Sequence, residues 1–254
     1  IVSNPAGFYF NIHTGDNPNG AQRGQLQPQT TQNATATLGA VLSPANEVPP
    51  VTGAEGSATG QGNVVLHLTE DQTGTVTAAT ADFSFNVSGL PSGDQIILAH
   101  VHMGAKGTNG GVLISSGISP GSPISLTGGA ATFSITGITV DPADAMAIAA
   151  TPANFYFNVH TTTSTGGVIR GQLEVPPILT SASITGKKLI LTGTGFAKKN
   201  KILINGQIET TTFSSSTQLI ANKGGKMIAT GQTVTLQVKQ KDGLISPTLM
   251  FTRN

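Results

Sequence analysis

The chain has 254 residues, a net charge of +1, no cysteine, no tryptophan and only 10% charged residues. That composition excludes disulfides, thiolate metal sites and cysteine nucleophiles, and no apolar run reaches the length of a spanning helix. The 32 glycines and 35 threonines point to an all-β chain, because branched threonine suits a pleated strand and glycine serves turns. Low charge with much Thr, Gly and Ser is the composition of an extracellular or cell-surface protein. Charge is uneven: residues 1–174 carry −7 and residues 175–254 carry +8. The break falls at Pro176-Pro177 and predicts a domain boundary.

In chain order, the first predicted element is a β-hairpin over residues 5–26, PAGFYFNIHTGDNPNGAQRGQL. The same pattern returns at residues 152–173, PANFYFNVHTTTSTGGVIRGQL, with 13 of 22 positions identical and no gap. In each copy an aromatic, β-branched strand leads through a polar turn to a return strand. Residues 1–27 therefore read as an orphan hairpin. It is either the end of a preceding unit in a tandem array, a hairpin folded onto its own chain, or one donated to another copy. Its apolar residues Phe8, Tyr9, Phe10, Ile12 and Leu26 are the expected assembly contacts, since an uncovered hairpin invites strand pairing.

Residues 28–174 come next. Strand-like runs at 35–42, 63–68, 75–87, 96–102, 111–116, 131–140 and 154–160 are separated by Gly, Pro and Ser clusters, the pattern of a sandwich or barrel. The one helix signal is Asp141-Pro142, an N-cap followed by proline at the first position, leading into AMAIAA. Pro152 limits that helix to about two turns.

Within this segment, Ala45-Asn46-Glu47-Val48-Pro49-Pro50-Val51, Gly56-Ser57-Ala58-Thr59-Gly60, Ala99-His100-Val101-His102-Met103-Gly104-Ala105, Phe157-Asn158-Val159-His160-Thr161 and Arg170-Gly171-Gln172-Leu173 resemble, in order and spacing, the CHRD (chordin-type) domain. The resemblance implies an extracellular antiparallel β-sandwich or barrel, often in tandem in bacterial secreted proteins. Residues 5–26 then resemble the terminal hairpin of another such unit.

His100 and His102 lie two apart on a predicted strand, so both point to one face about 6.5–7 Å apart. His160, on another strand of the segment, can supply a third imidazole, and three such donors with an open position suit zinc or copper. The competing reading is structural: the histidines bond to backbone or to Glu47, and Arg170 pairs with Glu47 or Asp82. The repeat carries His13 and Arg23 where the second hairpin has His160 and Arg170, which suits a fold motif. His67 alternates with Leu66 and Leu68 and is expected on the solvent side. The Gly-rich run 104–111 reads as a turn, and no nucleophile elbow or phosphate loop is present, so no enzymatic activity is expected.

Residues 178–254 alternate short strands at 189–192, 201–204, 219–221, 233–238 and 248–252. Gly193-Thr194-Gly195-Phe196, Ile204-Asn205-Gly206 and the run 211–219 resemble an IPT/TIG domain, which implies a C-terminal immunoglobulin-like sandwich. Its lysines fit an acidic surface partner, whereas nucleic acid is not expected, because arginine is nearly absent and no Tyr or Trp is interleaved. The expected function is a structural or adhesive module in a tandem array or filament, paired with other copies or neighbouring domains. The alternative is an extracellular metal-binding domain.

Overall fold

The computed structural model describes residues 4–26 and 31–254. The boundary expected between residues 27 and 28 falls outside them. The first strands, β1 (Tyr9–Ile12) and β2 (Gln22–Gln25), form the expected antiparallel hairpin, with Tyr9 opposite Gln25 and Ile12 opposite Gln22. No third strand joins this sheet among the described residues.

Then come β3 (Gln32–Leu42), β4 (Thr59–Glu70), β5 (Val76–Ser88), β6 (Gln95–Met103), β7 (Val112–Ser115), β8 (Ile124–Ser125) and β9 (Ala131–Val140). Helix α1 (Pro142–Ala150) follows, and a second hairpin, β10 (Phe155–Thr161) with β11 (Ile169–Gln172), completes the unit. The Asp141 side chain accepts a 2.8 Å bond from the Ala143 amide and starts α1. The helix runs nine residues, about half a turn beyond the expected two.

These strands make two antiparallel sheets. One is ordered β3-β4-β5-β9. The other is ordered β11-β10-β6-β7, with β8 also paired to β6. The sheets pack face to face around an apolar core in which the rings of Phe83 and Phe157 stack at 4.4 Å and Phe85 meets Phe157 edge-on at 6.2 Å. Gly62 of β4 makes room for this: a Cβ there would lie 2.5 Å from the Phe157 ring. Along one side β11 bridges to β3, at Ser43 with Arg170 and at Gly39 with Glu174, so the sandwich is closed there like a barrel.

The C-terminal unit is a second sandwich. Its strands are β12 (Ile178–Thr185), β13 (Lys188–Thr194), β14 (Lys201–Ile204), β15 (Gln207–Ile208), β16 (Thr211–Ser215), β17 (Gln218–Ala221), β18 (Thr233–Lys239) and β19 (Leu249–Thr252). They form sheets ordered β12-β13-β17-β16 and β15-β14-β18-β19 around Leu189, Leu191, Ile202, Leu219 and Leu236. Asn205 and Gly206 both take positive φ, 50° and 77°, at the tight β14–β15 turn, the backbone that an Asn-Gly pair tolerates best.

The two sandwiches touch. Gln61 of β4 donates to the Ile245 carbonyl and accepts from the Ile245 amide, both at 3.0 Å. Leu244 packs against Gly39 beside this pair. At the same junction the Glu174 carboxyl is raised above its ordinary pKa, by burial first and then by Asp242.

Candidate metal centre

Strand β10 is buried on both faces along its whole length. Phe155, Phe157 and Val159 enter the core. On the other face Tyr156, Asn158 and His160 lie beside His102, His100 and Leu98 of β6 in the antiparallel register. Arg170 of β11 stands opposite Asn158. The outer face of this sheet is therefore polar, yet it is not wet: His100, His102 and His160 are 8%, 9% and 6% exposed, and Arg170 is 2% exposed.

Two loops roof this face. The Gly-rich segment 104–111 is held by Arg170, which donates to the Thr108 carbonyl at 2.9 Å and to Asn109 Oδ1 at 3.0 Å. Asn109 Nδ2 in turn donates to the Val48 carbonyl at 2.8 Å, tying in the segment 44–51. Asn46 closes the ring by donating to the Arg170 carbonyl at 3.1 Å. Gly110 must be glycine, since a Cβ there would sit 1.6 Å from the Met103 carbonyl oxygen. The segment expected to be a plain turn is thus the cover of the site.

The three imidazoles converge. One nitrogen from each lies within 4.8 Å of the other two, and His100 Nδ1 is 3.4 Å from His160 Nε2. A tetrahedral ion with bonds of about 2.0–2.1 Å sets its ligand nitrogens about 3.3 Å apart, so one pair already has the required spacing. His102 Nδ1 sits 3.0 Å from the Gly110 carbonyl, and His160 Nδ1 sits 3.0 Å from that of Thr165. Each carbonyl calls for an Nδ1–H donor and leaves Nε2 as a lone pair, the orientation that backbone acceptors impose on metal-binding histidines. His102 Nε2 is buried and has no hydrogen-bond partner, and the same is true of Asn158 Oδ1, on the residue opposite His100.

Electrostatics keep the three imidazoles neutral. Burial lowers the pKa of His100 to about 4, helped by His160 and His102. Burial also lowers His102 and His160, against the carbonyl bonds that favour their protonated forms. Arg170 adds to the effect on His102 and forms a stack: its guanidinium lies 3.6 Å over the Tyr156 ring, which lies flat on the His102 ring at 4.9 Å.

The expected carboxylate partners are not where the sequence put them. Asp82 bonds the exposed His67 at 2.9 Å on the outer face of β5, as the expected solvent side of His67 requires. Glu47 lies near Arg170 but makes no ion pair with it, and burial raises its pKa to about 7 against the lowering effect of Arg170. His102 and His160 bond backbone carbonyls and His100 meets His160, so none of the three bonds Glu47. The reason is geometric: Arg170 runs under the 104–111 loop, and that loop supplies acceptors closer than either carboxylate. The sequence assigns no site role to Tyr156, Asn158, Thr108, Asn109 or Gly110, although Asn158 lies in a family motif and the last three in the Gly-rich run. The glycine-rich spacing directly after His-x-His was the available signal.

The pH response has a definite sign. Between about pH 4 and 6.5 the unfolded chain protonates a histidine that folded His100 leaves neutral, so metal-free protein loses stability as pH falls through that window. Glu47 acts oppositely. Its folded carboxyl keeps a proton up to about pH 7, so its contribution is lost as pH rises from the ordinary carboxyl range to 7. Urea titrations across this range are expected to show a smaller acid-side loss for His100→Gln and a smaller loss near pH 7 for Glu47→Gln.

The hairpin β1–β2 repeats this geometry without the cover. Arg23 lies 4.3 Å over Tyr9, His13 Nδ1 faces the Pro18 carbonyl at 2.8 Å, and Gln25 donates to the Ala6 carbonyl as Gln172 does to that of Ala153. Phe8, Tyr9, Phe10 and Ile12 are exposed and Leu26 is half-buried. His13 belongs to no cluster of three metal-ligating side chains among the described residues.

No curated protein matches this chain. A family model does: the CHRD domain matches residues 38–173. That span runs from within β3 through β11, with the two roofing loops and all three converging histidines, and it leaves out β1–β2 and the C-terminal sandwich. The chain belongs to the CHRD domain family.

Proposed function

We propose that this is an extracellular metal-binding module that holds zinc or copper on His100, His102 and His160. The observation that carries the reading is the convergence of three buried, neutral imidazoles with one Nε2 left without a hydrogen-bond partner. A buried polar atom without a partner costs free energy, and an ion would satisfy it. The donor set, all imidazole with no thiolate, suits zinc or copper over calcium or magnesium. Elemental analysis with a zinc or copper titration tests this: one equivalent per chain is expected, and a chain that binds neither ion sinks the reading.

A second reading has its own support. The exposed hairpin β1–β2 favours a structural or adhesive module joined to its neighbours by strand pairing in an array or filament. The C-terminal sandwich, which resembles an IPT/TIG domain, then serves as a spacer whose basic surface meets an acidic partner. Removing residues 1–27 is expected to leave both sandwiches folded and to release the chain from its assemblies. Assemblies that survive the removal, by light scattering, rule the joint out.

A further inference from the structure

We propose that the three-histidine site takes univalent copper in preference to a divalent ion, and that the buried guanidinium of Arg170 sets that choice. The inference rests on the metal reading above and names the ion and its charge.

Donor type alone does not choose among zinc, cupric and cuprous copper, because imidazole suits them all. Donor number and charge do. No carboxylate and no further histidine joins His100, His102 and His160 within 4.8 Å among the described residues. Zinc completes a tetrahedron with a fourth donor and cupric copper takes a tetragonal set, whereas the closed-shell cuprous ion is satisfied by three. Three nitrogens about 2.0 Å from an ion in their plane stand about 3.5 Å apart, a spacing that His100 Nδ1 and His160 Nε2 meet at 3.4 Å. A fourth donor from solvent would have to pass the roof that Arg170 and Asn109 hold over the site.

The cost of burying an ion grows with the square of its charge, so a dication needs a countercharge beside it. The charge fixed beside this site has the wrong sign. Arg170 is 2% exposed. It donates to the Thr108 carbonyl and to Asn109 Oδ1, both uncharged, and makes no ion pair among the described residues. Its guanidinium lies 3.6 Å from the centre of the Tyr156 ring, and that centre is 4.9 Å from the centre of the His102 ring, so guanidinium and imidazole are within about 8.5 Å. The charge reaches His102, whose pKa it helps to lower. Glu47 supplies no countercharge in mildly acidic solution, because burial raises its carboxyl to about 7. Asn158, opposite His100, is neutral, and its amide lies over Gly167. A unit positive charge at this distance in a protein interior favours a monocation over a dication by roughly 10–30-fold in affinity. A site with this preference holds copper in its reduced state.

The test is a competition at pH 6.5, below the Glu47 value. The intact chain is mixed without oxygen, in ascorbate, with one equivalent each of zinc and cuprous copper, freed of unbound ion and analysed for both metals. Copper is expected to stay, silent in electron paramagnetic resonance, and zinc to be left behind. Zinc retained in equal or greater amount overturns the proposal and leaves the metal reading standing; neither ion retained overturns both. His102→Ala is expected to lose the copper, and copper that stays on this variant is held elsewhere and overturns the proposal. Asn109→Asp tests the guanidinium. It sets a carboxylate oxygen where Arg170 now donates to the amide oxygen, at an exposed position of the loop, so it offsets the charge and keeps the bond. Zinc affinity relative to cuprous copper is expected to rise roughly 10–30-fold in this variant, and an unchanged ratio in folded protein overturns the role of Arg170. The competition on the parent chain decides the ion without any variant.

Discussion

Replacing His102 with alanine is expected to weaken zinc or copper binding by at least about 100-fold, beyond the 10–100-fold typical of losing a supporting partner around a metal. His102 offers its Nε2 without a competing hydrogen bond, and its ring is locked between the Gly110 carbonyl and the flat face of Tyr156. Alanine removes the donor and leaves the roof in place, because the 104–111 loop is held chiefly by Arg170. The metal-free variant should therefore stay folded. Its melting temperature should stop rising when ion is added, since an ion that binds only the folded state stabilises by mass action. His67→Ala is the matched control, exposed and paired with Asp82. If His102→Ala lowers stability while bound ion is unchanged, the histidine is a packing residue and the metal reading fails.

The second large effect contrasts two equivalent phenylalanines. Phe157→Ala is expected to cost about 3–5 kcal/mol of CHRD-domain stability, the usual range for emptying a buried aromatic site. The ring stacks on Phe83, meets Phe85 edge-on and fills the space over Gly62, so the cavity cannot easily collapse. Phe10→Ala, at the same place in the first hairpin, is expected to change the isolated chain by less than about 0.5 kcal/mol, because that ring is 65% exposed. Denaturant unfolding of the two variants side by side checks both values. A large loss from Phe10→Ala would mean that β1–β2 packs on its own chain in solution.

Local pattern alone carried the all-β class, the two hairpins and their turns, the short helix and the Asn205-Gly206 corner. These follow from alternation, glycine placement and proline punctuation, which act over a few residues. The pairing of His100 with His102 was readable for the same reason, since two residues on one strand share a face. His160 was a guess about which strand lies beside which, and the antiparallel register of β10 on β6 settled it. The partners of Arg170 could not be read at all. They lie about 60 residues away on a loop, and a buried guanidinium takes whichever acceptors the folded chain brings nearest. The neutral state of the histidines was also out of reach, because it comes from burial that only the folded chain provides, where segments 44–51 and 104–111 close over the sheet. Sequence placed the residues on their strands. Tertiary structure chose the neighbours across strands and shut out the water, and the electrostatics of the site depend on both.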